Sequence, residues 1–165
     1  MGARTYYKGI DTGYPGALSR VHEGGYTIES KKVAEGTAAA LFNGSPAALN
    51  ADGNIVPAET AALAGKVIGF VVRPYPSQGV GSVTGEDEPW QVNSVASVMR
   101  RGYMTALVEA GTAAARGQVY VITGGNDDSL LGAISAVATN ATAITGAFFT
   151  GAADTRGIAE IEFNI

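Results

Sequence analysis

The chain of 165 residues carries a formal net charge of −4 and contains no cysteine. Its length fits one domain with or without an arm, its acidic balance argues against a nucleic-acid partner because phosphates attract basic surfaces, and the missing thiols exclude disulfides and thiolate metal sites. Charged residues make up only 16% of the chain, below the usual quarter, which indicates either a surface covered by another molecule or simply many small Ala and Gly side chains.

No targeting or membrane-spanning segment is predicted. Residues 1–13 lack the apolar core of a signal peptide, and no window approaches the roughly 20 apolar residues of a membrane helix. We therefore expect a protein that needs no export from the cytoplasm and has no membrane partner.

Residues 1–30 predict an extended arm. Glycine and proline recur there too often for a helix or a long strand, yet aromatic residues are spaced along it, unlike a disordered tail. Tyrosine and arginine are favoured anchors at protein interfaces, so the arm either contacts another chain or packs on its own domain, and both alternatives stay open. The anchors that we predict in the arm are Tyr6, Tyr7, Tyr14 and Arg20.

Short strands separated by turns are predicted for the first half of the chain. Residues 26–30 alternate between polar and apolar and could form a strand. The apolar run 33–42 is flanked too closely by turn signals for a helix, so we expect a strand there. Asp52–Gly53 is a favoured hairpin turn, and one helical turn is expected within 57–63.

The strongest strand pattern of this half covers 65–75 and is interrupted by Gly69. A glycine inside a strand indicates a bulge or a close approach of another backbone. The loop that follows, 76–89, is rich in glycine, serine and acids, and loops of this length are usually functional or mobile.

The chain is organised around 92–122, which holds three apolar runs. An Arg-Arg-Gly sequence separates the first run from the second, and we interpret it as a kink or tight turn at Gly102. The third run, 118–122, is a predicted strand. Its alternation places Val119 and Val121 on one face, which we expect to be buried.

Three further strands are expected within 132–138, 142–150 and 158–165. The last alternates with a period of two, so that Ile161 and Phe163 face the core and acidic residues face water. Closely spaced short strands with glycine turns predict an all-β fold, a small β-barrel or a jelly-roll-like sandwich, with an extended N-terminal arm. We place the arm at 1–30 and the domain at 31–165.

No catalytic, cofactor or metal site is predicted. His22 is the single histidine, and neither a nucleophile elbow nor a phosphate-binding loop occurs. The acids of 86–88 and 126–128 lack EF-hand spacing, which favours solvated turns over a cation site. Arg100 and Arg101 are either charged turn ends or a binding site for a partner's carboxylates, with which arginine makes forked hydrogen bonds.

Several motifs, taken in order, carry a resemblance. They are 95–105 (VASVMRRGYMT), 115–121 (ARGQVYV), 144–150 (ITGAFFT) and 157–163 (GIAEIEF), preceded by 65–69 (GKVIG) and 13–16 (GYPG). Their order resembles that of the structural cement (head decoration) proteins of tailed bacteriophages, in which a strand ending in glycine is followed by G-D-x-V-Y-V, a G-hydrophobic-aromatic strand and a final G-hydrophobic-A-x-I strand. One departure is Gly117–Gln118, where Gly-Asp is usual.

The resemblance implies a non-enzymatic protein without a cofactor that binds the outer surface of the phage head and clamps neighbouring capsomers. Its partners would be the major capsid protein and itself, with a homotrimer favoured and a homodimer as the alternative, and without direct nucleic-acid or membrane contacts. The location implied is the capsid surface of the virion, after synthesis in the bacterial cytoplasm. We expect the interface to use Tyr6, Tyr7, Tyr14, Arg20, Arg100 and Arg101.

An alternative function is a β-barrel binding module for carbohydrate or a host surface. Such a module requires a groove lined by aromatic residues, and outside the arm the candidates are Tyr75, Trp90 and Tyr103, which are scattered in sequence. A fixed ratio to the major capsid protein in particles would indicate the decoration role, and binding to a glycan array would indicate the alternative.

Overall fold

A computed structural model describes residues 13–20, 25, 27–74 and 89–165. Nearly all regular structure in these ranges is β-strand, as the sequence predicts, with one α-helical turn, α1 (Ala61–Ala64), capped by Thr60, and one 3-10 turn, Asp128–Leu130. The strands are β1 (Leu18–Arg20), β2 (Thr27–Lys32), β3 (Pro46–Leu49), β4 (Ile55–Pro57), β5 (Val67–Val71), β6 (Val95–Ala110), β7 (Gln118–Ile122), β8 (Ile134–Ser135), β9 (Ala141–Phe149) and β10 (Ile158–Asn164). No helix within the described ranges is long and apolar enough to cross a membrane.

Five of the strands close into a barrel. Around the ring, β6 pairs with β10, β10 with β9, β9 with β7, β7 with β8, and β8 returns to β6. All these pairs are antiparallel except β6 with β8, which is parallel. Closure gives every strand of the ring two neighbours, so the barrel confirms the predicted all-β architecture and leaves no open edge within it.

Strands β2 to β5 form a side sheet on the first half of β6, and β1 pairs with β6 opposite Met104 and Tyr103. In the order β2, β6, β5, β3 and β4, all four pairs are antiparallel. The 16-residue strand β6 therefore belongs to both the barrel and the side sheet. β2 begins opposite Arg101 at the point where β10 ends, so the two strands follow one another along the same edge of β6.

The predicted turn at Gly102 is wrong, because β6 continues through this residue and β10 pairs with it in unbroken register from Leu107 to Arg101. The unusual backbone angle expected at Gly102 is confirmed by its φ of 140°, which glycine tolerates. The pairing of β6 with β2 also shifts its register here, between Arg101 and Met99. The strand continues because β10 supplies partners on both sides of the glycine, information that the local sequence does not contain.

The main core fills the barrel and continues onto one face of the side sheet. Val119, Val121, Ile161 and Phe163 are all buried, which confirms the two faces predicted from their alternation. Phe70 of β5 reaches this core, and its ring lies 4.6 Å from that of Phe163, centroid to centroid. The barrel and the side sheet thus share one hydrophobic core.

A second apolar cluster lies on the other face of the side sheet. Its buried members are Val33, Leu41, Ala47, Ile55, Val71, Ala96 and Val98. The cover is the 33–42 segment, in which we expected a strand. That prediction is wrong, since only Val33 makes a single bridge, to Ile55, and the rest is a loop.

Glu59 explains the shape of this loop. Its buried carboxylate accepts the backbone N–H groups of Thr37 (2.6 Å), Ala38 (2.9 Å) and Ala39 (2.8 Å). Burial raises the pKa of Glu59, but these backbone hydrogen bonds lower it by more, so the net shift is downward. N–H groups that a strand would use in a ladder are therefore bound by a carboxylate some 20 residues further along the chain.

Two predictions made from glycines are confirmed, a hairpin turn at Gly53 and a close backbone approach at Gly69. β3 and β4 form a hairpin whose turn contains Gly53 with a φ of 78°, and the Asn50 side chain accepts the N–H groups of Asp52 and Asn54. At Gly69, the β3–β5 register shifts and another backbone approaches closely, because a Cβ there would lie 2.2 Å from the carbonyl oxygen of Met99.

Candidate functional site

Residues 13–20, which we call the strap, lie along β6 between β5 and β8. The Pro15–Gly16 pair forms a turn in which the N–H of Ala17 donates to the carbonyl oxygen of Tyr14 (3.0 Å), and Gly16 has the φ of 79° typical of a type II turn. Thr105 of β6 exchanges backbone hydrogen bonds with Gly16 (2.7 Å) and Ala17 (2.9 Å). The described part of the predicted arm is thus hydrogen-bonded to its own domain.

Close packing fixes the strap further. A Cβ on Gly16 would lie 2.8 Å from the backbone nitrogen of Gly44 and 2.9 Å from that of Arg73, whose N–H donates to the carbonyl oxygen of Gly16. Only glycine fits between these two backbones. β2, which spans the predicted boundary at residue 30, also pairs with β6, and the division into arm and domain stays a prediction.

Tyr14 is an exposed aromatic residue on the strap, 51% accessible. The guanidinium groups of Arg73 and Arg156 lie 5.4 and 5.8 Å from its ring centroid, within cation–π distance. Arg156 also donates to the carbonyl oxygen of Gly13 and to Asp154. The structure therefore presents Tyr14 in a fixed position, with both neighbours supplied by its own chain.

Arg20 crosses the outer face of the barrel. Its Nε donates to Glu160 of β10 (2.9 Å), its second nitrogen forms an ion pair with the same carboxylate, and its guanidinium lies 4.5 Å from the ring centroid of Tyr103. Thr150 donates to Glu160 as well (2.6 Å). Burial raises the pKa of Glu160, but hydrogen bonds from Arg20, Ser19 and Thr150 outweigh it and lower the pKa to about 2.

Arg100 and Arg101 lie at the junction of the barrel and the side sheet. Arg101 is opposite both Thr27 and Asn164, where β2 begins and β10 ends. Arg100 is exposed, and its Nε lies 3.9 Å from the Glu29 carboxylate. Arg20 instead pairs with Tyr103, two residues after Arg101 on β6. Tyr6 and Tyr7 lie outside the described residues, and the role of all six residues at an interface stays a prediction.

The sequence gives no signal for a cleft between four distant stretches of chain. It encloses about 560 Å³ and is lined by Pro15, the loop 40–45, Leu107 and Glu109 at the end of β6, and 129–134. Phe42 and Leu107 are 38% and 39% exposed although both are large and apolar. Exposed apolar side chains that converge in one concave site indicate a binding surface.

A carbohydrate groove is not favoured by the aromatic residues. Trp90 packs against the second apolar cluster and donates to Asn43 (3.1 Å), whereas Tyr103 lies under Arg20. Tyr75 falls outside the described residues. The two described candidates therefore occupy separate, already covered positions rather than one open groove.

The expected solvated acids behave as turn residues where they are described. Asp127 accepts the N–H (3.0 Å) and hydroxyl (2.5 Å) of Ser129, and these hydrogen bonds lower its pKa. Across the residues with assigned positions, no group of three metal-ligating side chains comes together. His22 and the acids of 86–88 lie outside the described ranges.

Comparison with known proteins gives two matches. A chain in the solved capsid of Myoviridae phage XM1 has a similar fold, with a TM-score of 0.60 over 97% of this chain and 95% of that one, at 17% sequence identity. At this identity the likeness concerns the fold alone. No curated protein matches the sequence. Residues 3–163, nearly the whole chain, match the model of the XM1 gp53 minor capsid protein family, and the chain therefore belongs to this family of tailed-phage capsid proteins.

Proposed function

We propose that this capsid protein is a decoration protein that binds the outer surface of the head and stabilises it by clamping neighbouring capsomers. The observation that carries the proposal is the family match, which starts at residue 3 and so includes most of the predicted arm. A minor capsid protein has a structural role in the virion. The proposal adds its position, on the outer surface of the head, and its contacts, with neighbouring capsomers.

The distribution of exposed apolar residues supports a clamp. Leu107 lies in the cleft at one end of β6, and Val92 and Val95 are 46% and 62% exposed at the other end. Val95 and Leu107 are separated by roughly 40 Å of extended strand, at about 3.3 Å per residue. Two apolar areas at that separation suit a protein that binds both its own copies and the shell.

The shell is stabilised through thermodynamic linkage between binding of this protein and assembly of the shell. A protein that binds the assembled shell but not its dissociated subunits stabilises the shell by the free energy of binding. Each oligomer, a homotrimer in preference to a homodimer, engages the major capsid protein at several points, so that later contacts form at a high effective concentration. This role requires no cofactor, no catalytic step and no contact with nucleic acid.

The test uses particles assembled without this protein, to which the purified chain is added back. We expect binding at a fixed ratio to the major capsid protein and a rise in the temperature at which the particles release their DNA. The same mass of an unrelated acidic protein serves as the control. Binding at no fixed ratio, location inside the shell, or an unchanged release temperature would rule out the decoration role.

A further inference from the structure

We propose that the cleft beside Leu107 is the docking site for residues 1–12 of a second copy of this chain. The inference rests on the self-association that the proposed function includes, and it names the surface that receives the arm. Three observations support it: the chemistry of the cleft, the composition of residues 1–12, and the position of Gly13 outside the lining of its own cleft.

The cleft offers an apolar floor with one acid at its rim. Phe42 and Leu107, which are both partly exposed, line it together with Leu130 and Leu131. Glu109 is the one charged residue among the described residues that line the cleft. Its volume of about 560 Å³ lies within the range of about 300–1,000 Å³ that holds ligands of several rings.

Residues 1–12 have the complementary composition. They contain two adjacent tyrosines, an isoleucine, two basic residues and one acid, namely Tyr6, Tyr7, Ile10, Arg4, Lys8 and Asp11. Tyrosine buries a large apolar area with few rotatable bonds and keeps a hydroxyl for polar partners such as those at the cleft rim. The surplus of positive charge matches the carboxylate of Glu109.

The position of the strap favours the cleft of a neighbour over the cleft of the same chain. Among the described strap residues, Pro15 alone lines the cleft, and Tyr14 and Gly13, which precede it, do not. Gly13 instead lies against the side chain of Thr105 and accepts a hydrogen bond from Arg156. At Gly13, the first residue of the strap, the chain therefore lies outside the lining of its own cleft.

Reach is sufficient for this exchange. Twelve extended residues span at most about 40 Å, and the strap holds their starting point, Gly13, through the hydrogen bond from Arg156. A contact in which the arm of one copy enters the cleft of the next is heterologous, and it closes into a ring if the rotation between copies allows. Such a ring is the geometry of the favoured trimer.

Cross-linking tests the contact directly, because the chain has no cysteine of its own. Two single variants, Tyr7→Cys and Ser129→Cys at the exposed rim of the cleft, are mixed in the free oligomer and oxidised. We expect a disulfide-linked dimer of the two variants, identified by mass spectrometry. Asp52→Cys, in the exposed β3–β4 turn outside the cleft, is the matched control and should give no dimer with Tyr7→Cys.

The double variant Tyr7→Cys, Ser129→Cys separates the alternatives. A disulfide confined to one chain would show that the segment occupies its own cleft, and no disulfide in any mixture would show that it docks elsewhere, for instance on the shell. Either outcome overturns the inference.

A second measurement uses substitutions on β6. Leu107→Glu should weaken self-association at least tenfold by sedimentation, because it places a second acid beside Glu109 in the apolar floor. Val95→Glu, on the same strand but outside the cleft and more exposed, should leave it unchanged. Equal association of both variants would overturn the inference even if particle binding remained intact. Failure of the unchanged protein to bind particles, with self-association weakened by Leu107→Glu alone, would instead count against the decoration role alone.

Discussion

The barrel and the side sheet share β6 but complete their packing in different ways. In the barrel, the strands cover one another, because closure provides each one with two neighbours and a common interior. The side sheet is open, and its outer face is covered by the 33–42 loop, which has almost no regular structure. A closed sheet is stabilised by the hydrogen bonds between its own strands. An open sheet depends in addition on the contacts that hold the segment covering its outer face.

Backbone hydrogen bonds of Val33, Ala34 and Leu41 hold the two ends of this loop, and a buried carboxylate holds its middle. Glu59 orders the loop through three backbone hydrogen bonds, and the loop in turn buries the second apolar cluster. Damage to the barrel should therefore remove the whole fold, whereas damage to the side sheet should act locally. The substitutions below test this difference from the largest expected effect to the smallest.

Val121→Asp should abolish folding. The side chain is fully buried in the barrel core, and an unpaired charge placed there is very costly. We expect no soluble folded protein, measured by expression and circular dichroism. Val95→Asp, at a largely exposed position on β6, is the control and should fold normally. A soluble Val121→Asp protein with an unchanged melting temperature would refute the barrel assignment.

Gly69→Ala should destabilise the contact between β5 of the side sheet and β6, the strand that both regions share. The added Cβ would meet the backbone of Met99 in β6, which cannot move without shifting the strand that both regions share. Forced overpacking of this kind costs about 2–3 kcal/mol in the free energy of unfolding, measured by urea denaturation. Gly124→Ala has open space around its Cβ and should have little effect. Equal stability of the two variants would show that the close approach is absent in solution.

Glu59→Gln should loosen the cover of the side sheet. An amide cannot accept three N–H groups as well as a carboxylate, and hydrogen bonds to a charged acceptor contribute more than neutral ones, so we expect a loss of about 1–2 kcal/mol. Amide hydrogen exchange should accelerate at Thr37, Ala38 and Ala39 while β7 stays protected. Acceleration throughout the barrel would contradict the separation of the two regions.

The same residue predicts a pH dependence. Because the pKa of Glu59 is lower in the folded protein than in the unfolded chain, its contribution is complete above its ordinary pKa of 4.5 and is lost as the pH falls through the folded value. Glu59→Gln should remove this part of the acid sensitivity. A variant that keeps the full acid profile would show that other groups cause it.

Arg20→Gln should have the smallest effect on stability, about 0.2–1 kcal/mol, because the arginine is half exposed and water screens the pair. The sharper measurement is the Glu160 carboxyl titration by NMR. In the variant, the pKa of Glu160 should rise from about 2 toward 4.5. The native protein loses the stabilisation from this carboxylate as the pH falls from 4.5 to about 2, and the variant should lose a smaller stabilisation at a higher pH. Arg100→Gln, with its longer contact to Glu29, is the control.

Local patterns predicted those parts of the fold that local chemistry determines. The alternation of Val119 with Val121 and of Ile161 with Phe163 identified the buried faces, since period two is a property of the strand itself. Gly69 signalled a close backbone approach because the missing side chain is visible in sequence. The association with a phage capsid was predicted from the family resemblance, because no residue pattern in the chain indicates it by its chemistry.

Features that depend on distant partners were not predictable in this way. The 33–42 run is apolar enough for a strand, and nothing near it indicates that Glu59 binds its N–H groups. Gly102 resembles a break because the pairing that carries β6 through it comes from β10. The cleft combines four stretches that are far apart in sequence. Tyr14 and Arg20 have intramolecular partners that the sequence did not predict, and their role as interface anchors stays a prediction.

The continuity of β6 has a mechanical consequence. Hydrogen bonds in antiparallel pairs lie perpendicular to the strands, so a tensile force along β6 loads its bonds to β2, β5 and β10 in shear and must break many of them together. A force applied across the strand would instead open one bond after another, as in a zipper. A subunit that carries tension across a pressurised shell would be strongest with β6 aligned along the line of pull.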